Sequence, residues 1–261
     1  IVMTSEKEEP GAWGGIHICG RAHTNAEGGK GSSEIGGAVY GGNDDADNSG
    51  TLQYIRLEYT GFAFDEEHEA NGISFYGVGN GTIVDHCQAY KGSDDGFEFF
   101  GGSVNVSNLV AVSCSDDSFD WTEGWNGKGT NLVAYQEDKS TLGYDCDCLM
   151  ECDNNGSNNA ATPVAHPVLK NLILVGNGGS KQGIRLRAGT EVEIDNAKVC
   201  GKGQPLTVET ALTENALKNG TSKLTNITLT SELSSKEGIY THADFIAVTS
   251  NKAVSYTHLR A

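Results

Sequence analysis

The stretch GSDDGFEFFGG at Gly92–Gly102 returns as CSDDSFDWTEG at Cys114–Gly124. Ser93, Asp94, Asp95, Phe97, Glu98 and Phe99 recur as Ser115, Asp116, Asp117, Phe119, Asp120 and Trp121, each 22 positions on. A period in the low twenties, with short apolar alternations between Gly and Asp punctuation, marks a solenoid of β-coils. Further out, a signature of small residue, apolar, any, apolar appears as GISF at Gly72, GFEF at Gly96, SFDW at Ser118 and GIRL at Gly183. Between these lie longer alternating runs, such as TLQYIRLEYTG from Thr51, TIVDHCQAY from Thr82 and VSNLVAVSC from Val106. Later runs follow at Asn131, Val168, Val192 and Lys223. Two strand families alternating once per turn predict an all-β fold, a right-handed parallel β-helix (solenoid) with coils of about 22–24 residues and inserted loops.

The predicted coils account for residues 1–254 as a single domain. Four stretches break the alternation: an excursion loop at Thr24–Gly37, an acidic loop at Asp65–Glu69, a polar loop at Asn154–Pro167, and Pro205–Lys218. In the last, Thr213, Ala216 and Leu217 have helical spacing and predict a short surface or capping helix. The opening IVMTSEKEEP reads as a start within the fold, with N-terminal coils missing, and the closing SYTHLRA of residues 255–261 as a non-native tail.

Gly is abundant at 35 and Pro scarce at 4, which suits short strands joined by tight turns and disfavours long helices. The net charge of −17 is uneven: residues 1–153 hold 27 acids against 7 bases, and residues 154–261 hold 8 against 11. An acidic half draws cations and repels nucleic acid, which excludes a nucleic-acid partner. No apolar run reaches the 18 residues of a membrane span. Nothing in the pattern calls for a second chain, so a monomer is expected.

Of the seven cysteines, Cys146, Cys148 and Cys152 form a C-x-C-x3-C run without the paired knuckles or nearby His of a zinc site, so a disulfide is expected. His86, on a strand among core positions, reads as a packed histidine, and no His spacing argues for a catalytic triad.

The runs GAWGGIHICGRAHTN, GGNDDADNSGTLQYIRLEYTG and the two SDD repeats resemble a family of secreted bacterial (Bacteroidetes-type) β-helix proteins of the pectate-lyase-like superfamily, over roughly residues 4–250. The resemblance implies export to the cell surface or beyond, and leaves the activity largely undefined.

On adjacent coils Asp94, Asp95 and Glu98 would face Asp116, Asp117 and Asp120 at about 4.8 Å. Carboxylates that crowded repel unless protonated or bridged by a cation, and Ca2+ accepts 6–8 oxygens in irregular geometry. Glu123 is a further candidate ligand, and Asn43–Asn48 a weaker calcium loop. The competing reading is plain turn chemistry, in which each Asp bonds nearby backbone N–H groups. Trp125 and Trp121 are the candidate sugar-stacking platforms, while Phe97 should stack on Phe119 inside the coil. A calcium-stabilised β-helix binding an extracellular polysaccharide or surface glycan, or acting in adhesion, is the leading expectation. The alternative is a lyase or hydrolase of acidic glycans built on Asp94, Asp95, Asp116, Asp117 and Arg185. In its adjacent Asp pair and later Arg-x-basic run the chain resembles inverting polysaccharide hydrolases on β-helices, but the Gly-His-Gly that the resemblance implies is missing and Arg187 stands in place of its Lys. Arg185 should also lie three to four coils beyond the first Asp pair, too far for joint chemistry.

Overall fold

A computed structural model describes residues 1–64 and 68–254. Asp65, Glu66 and Glu67 of the expected acidic loop, and the 255–261 tail, lie outside the described residues. Two parallel sheets run the length of the molecule. One stacks nine strands: Val2–Met3, Thr51–Glu58, Ile83–Tyr90, Asn105–Val112, Lys128–Tyr135, Val168–Val175, Glu193–Cys200, Lys223–Leu229 and Lys252–Ala253. The other stacks eight shorter strands: Ile16–Cys19, Ile73–Tyr76, Phe97–Phe100, Phe119–Thr122, Met150–Asp153, Gln182–Arg187, Gln204–Val208 and Ser234–Ser235. The chain alternates between the sheets once per turn, as the predicted parallel β-helix requires.

Each long strand bends where one residue adopts a positive φ. The column is Tyr54, His86, Asn108, Asn131, Asn171, Asn196 and Asn226, with φ between 52° and 63°. Asn tolerates this left-handed conformation better than other non-Gly residues, and here its amide earns a second use. Asn131 donates to Asn108 Oδ1 at 2.8 Å, Asn171 to Asn131 at 3.0 Å and Asn196 to Asn171 at 2.8 Å, tying coil to coil. His86 therefore stands exposed in this column, stacked on Tyr54 at 4.9 Å and bonded to Asp85. It is not the packed core histidine that strand position suggested, because the bend turns its side chain outward.

The core lies between the sheets and is built of repeats in register. Phe97 stacks on Phe119 with centroids 5.5 Å apart, as expected. Phe99 is held between Phe75 at 5.0 Å and Trp125 at 4.1 Å. Trp121 and Trp125 are each 1% exposed, their indole N–H groups donating to Thr190 Oγ1 and Val104 O. Neither can stack on a sugar, and that expectation is corrected. Trp121 alternates inward with Phe119, and the turn at Gly124 (φ 85°) brings Trp125 back over Phe99.

Two insertions depart from the reading. All seven cysteines are free: Cys152 occupies a core position beside Trp121 in the ladder, and Cys148 sits in the turn before that strand. The expected disulfide is thus overturned. The predicted helix begins later, at Ala211–Asn219, because Gln204–Val208 adds a strand to the short sheet. Together with the His242–Ala247 helix, whose Phe245 is buried, it sits over the last coils.

Candidate functional site

The turn entering each short strand and the outward position within it form a grid. In the ladder Ser74 faces Glu98, Glu98 faces Asp120, Asp120 faces Glu151, and Glu151 faces Arg185. The same register carried four residues upstream aligns Ala70, Asp94, Asp116, Asp147 and Lys181. Carried three residues upstream, it aligns Asn71, Asp95, Asp117, Cys148 and Gln182. Three successive coils therefore hold eight carboxylates and one thiol in a three-by-three array. A neutral coil bounds one end and Lys181, Gln182 and Arg185 the other.

This array is the floor of a groove of about 370 Å³ whose lining, among the described residues, comprises ten carboxylates and Arg185. Two of the ten come from loops: Glu34 from the excursion and Glu69 from the loop before Ala70. The excursion is a hairpin, Gly31–Ser32 against Val39–Tyr40, seated on the short sheet by Tyr40 packing on Tyr76 at 5.1 Å. Glu123 serves that seat rather than the groove: its Oε2 accepts from Thr24 Oγ1 at 2.6 Å and Tyr40 OH at 2.8 Å. Its expected place among the ligands is corrected accordingly.

Turn chemistry and cation chemistry prove compatible. Asp95 Oδ1 accepts the backbone N–H of Asp117 at 2.8 Å, and Asp117 Oδ1 accepts that of Cys148 at 2.6 Å. Each inner Asp thus clamps the next coil with one oxygen. The carboxylates also gather in sets whose oxygens lie within 4.8 Å of one another: Asp94, Asp95 and Asp116; Asp95, Glu98 and Asp120; Asp117, Asp120 and Glu151. A fourth set, Asp117, Asp147 and Cys148, includes the thiol. The first three offer only oxygen, the donor set of a hard divalent cation such as Ca2+.

The electrostatics follow from burial. Desolvation, then repulsion from Glu69, Asp116 and Glu34, pushes the Asp94 carboxyl up to about 7. Burial and Asp147 push Asp116 to about 6. Asp95, Glu98, Asp117 and Asp120 are driven well above the ordinary carboxylate range, by burial first and by neighbouring carboxylates second, Glu151 foremost for Asp120. The Oδ1 of Asp120 is buried and has no hydrogen-bond partner among the described residues.

Arg185 lies three coils from Asp94 and Asp95, as the count of coils predicted, and yet lines the same groove. Its guanidinium is engaged by Glu151 at 2.8 Å and Glu209 at 3.3 Å, and Arg187 by Glu151 at 2.6 Å and Asp153 at 2.7 Å. The weaker loop is otherwise employed: Asp45 binds His23 Nδ1 and Asp47 binds Arg21. Sequence reasoning missed Glu34, Glu69, Asp147 and Glu151. The last two had a faint signal, the Leu149–Cys152 alternation, hidden by spacings of 31 and 34 from the flanking signatures at Ser118 and Gly183.

No curated protein and no solved structure matches the chain. A family described as the pectate-lyase-like β-helix domain matches residues 1–259. The stacked parallel coils, with their acids gathered outside the short sheet, thus belong to a member of the pectate-lyase-like β-helix family.

Proposed function

We propose that the groove holds Ca2+ and that, through the bound cations, this β-helix binds an acidic polysaccharide outside the cell as an exported, glycan-binding or adhesive protein. The observation that carries the reading is the contrast between the buried oxygens of two carboxylates. Glu214 is fully buried and accepts four hydrogen bonds, from Ser235 Oγ and from the N–H groups of Glu237, Ile239 and Tyr240. Asp120 is half-buried, yet its hidden Oδ1 lies among other acids and has no hydrogen-bond partner among the described residues. A buried charge without donors is costly, and a cation relieves both the desolvation and the repulsion.

Asp94, Asp95, Asp116, Glu98, Asp120, Asp117 and Glu151 would hold the ions. When bound, Ca2+ supplies open coordination positions that a uronate carboxylate can fill. The residues themselves fix the ion positions, while Lys181 and Arg185 limit the acid array at one end. Retention on immobilised polygalacturonate or alginate tests this: the protein should bind in Ca2+ and elute with chelator. Equal retention in chelator, or none in Ca2+, would defeat the reading.

Arg185 beside the acids favours a second reading, a polysaccharide lyase or hydrolase. Its engagement by two glutamates weighs against a role as base. Release of unsaturated or reducing ends from the same glycans, abolished by Arg185→Ala, would promote it.

A further inference from the structure

Six of the eight phenylalanines lie in the interior, 8% exposed or less, while Phe62 and Phe64 stand 43% and 67% exposed. These two share one loop and pack edge to face with centroids 5.0 Å apart. Exposed aromatic pairs of this kind lie open to a partner rather than to the core.

Their position is fixed relative to the groove. Gly61, the residue before Phe62, packs directly on the backbone of Ser93 and Asp94, and its carbonyl accepts Ser93 Oγ at 2.6 Å. Phe62 N–H donates to Trp13 O, Ala70 N–H donates to Phe62 O, and Phe64 N–H donates to His68 O. The loop is thereby closed on itself, and its return limb carries Glu69 into the groove lining. The loop that carries the pair thus forms a lip beside the coil of Asp94 and Asp95, next to the groove that Glu69 lines.

We infer that Phe62 and Phe64 are the sugar-stacking platform of this site, the role that Trp121 and Trp125 cannot fill. The inference rests on the glycan-binding reading: a pyranose lays its apolar C–H face on the aromatic pair while its carboxylate reaches a cation in the groove. The lip thus selects a carbohydrate polyanion over a free carboxylate or a small inorganic anion.

The test measures, by calorimetry in Ca2+, the affinity of wild type, Phe62→Ala/Phe64→Ala and Phe64→Trp for a galacturonate oligomer. Ca2+ affinity without sugar, melting temperature and oligomeric state are measured on the same proteins. The double variant should lose about tenfold or more in oligomer affinity. Its Ca2+ affinity, melting temperature and monomer state should match wild type. Phe64→Trp should retain binding, with its indole emission shifting to the blue as the sugar covers it. Unchanged oligomer affinity in the double variant overturns the platform alone. So does a parallel loss of Ca2+ affinity or stability, which marks a structural pair, or a change of oligomeric state, which marks a contact with a second copy. A wild type that binds no oligomer in Ca2+ overturns the glycan-binding reading and the platform with it.

Discussion

Replacing Asp120 with Asn should make the metal-free protein more stable and the calcium-loaded protein relatively less so. Asp120 belongs to two of the three all-oxygen sets, with partner oxygens within 4.8 Å. Two like charges at that distance repel by about 3 kcal/mol at an effective dielectric constant near 20. Removing one charge in chelator, at a pH high enough to ionise both groups, recovers up to roughly that amount. For a chain of this size, that corresponds to a rise of about 6–12 °C in melting temperature. Saturating Ca2+ acts oppositely, since a ligand bound only by the native state adds about 2.7 kcal/mol at one hundred times its dissociation constant. Wild type should gain that increment and Asp120→Asn most of it lose, so the difference between the two proteins narrows or reverses on adding Ca2+. Scanning calorimetry of both, in chelator and in Ca2+, reads all four values. A variant less stable than wild type in chelator would mean that Asp120 is held by donors after all. An undiminished calcium increment would mean that the ions sit elsewhere.

The pH dependence in chelator should run against the usual acid denaturation. Asp94 and Glu34, each pushed to about 7, and Asp116, pushed to about 6, bind protons more tightly folded than unfolded. Their contribution is fully present below the unfolded carboxylate values near 4 and is lost as pH rises toward 7. For Asp94, 8% exposed, the rise from 3.8 to about 7 is worth roughly 4 kcal/mol. Denaturant midpoints in chelator should therefore fall from pH 4 to pH 7, and Ca2+ should flatten the fall; a rising profile in chelator refutes the argument. Glu214→Gln should cost roughly 3 kcal/mol at neutral pH, because an amide cannot accept all the donors the carboxylate holds. That loss should be the same with and without Ca2+, and a calcium-dependent value would tie Glu214 to the groove.

The fold was legible because the coil period is written in Asp and Phe together. Phe97 and Phe119 stack because equivalent core positions repeat, and Asp94 and Asp116 recur because equivalent turns repeat. The third coil of the site was not legible. Its acids, Asp147 and Glu151, follow an insertion, and Leu149 replaces the small residue that opens the other short strands. Glu34 and Glu69 arrive from loops, where no period applies. The tryptophans misled for a related reason: Trp125 looks loop-borne in sequence, yet Gly124 (φ 85°) lets the chain turn back and bury it.

Arg185 shows what counting residues misses in a solenoid. Coils set how far apart two residues lie along the axis, while register sets whether they share a face. Arg185 lies three coils from Glu98 yet occupies the same outward column, through Asp120 and Glu151. The column changes from acid to base at that step, and Glu151 spans the change by binding both Arg185 and Arg187. An array of like charges without such an end would extend its repulsion along the whole sheet. Here the two arginines confine it to three coils, where a few cations can neutralise it. The same pairing that limits the acid array also engages the Arg185 guanidinium on both glutamates, which supports the ion-holding reading proposed for this groove over the catalytic one.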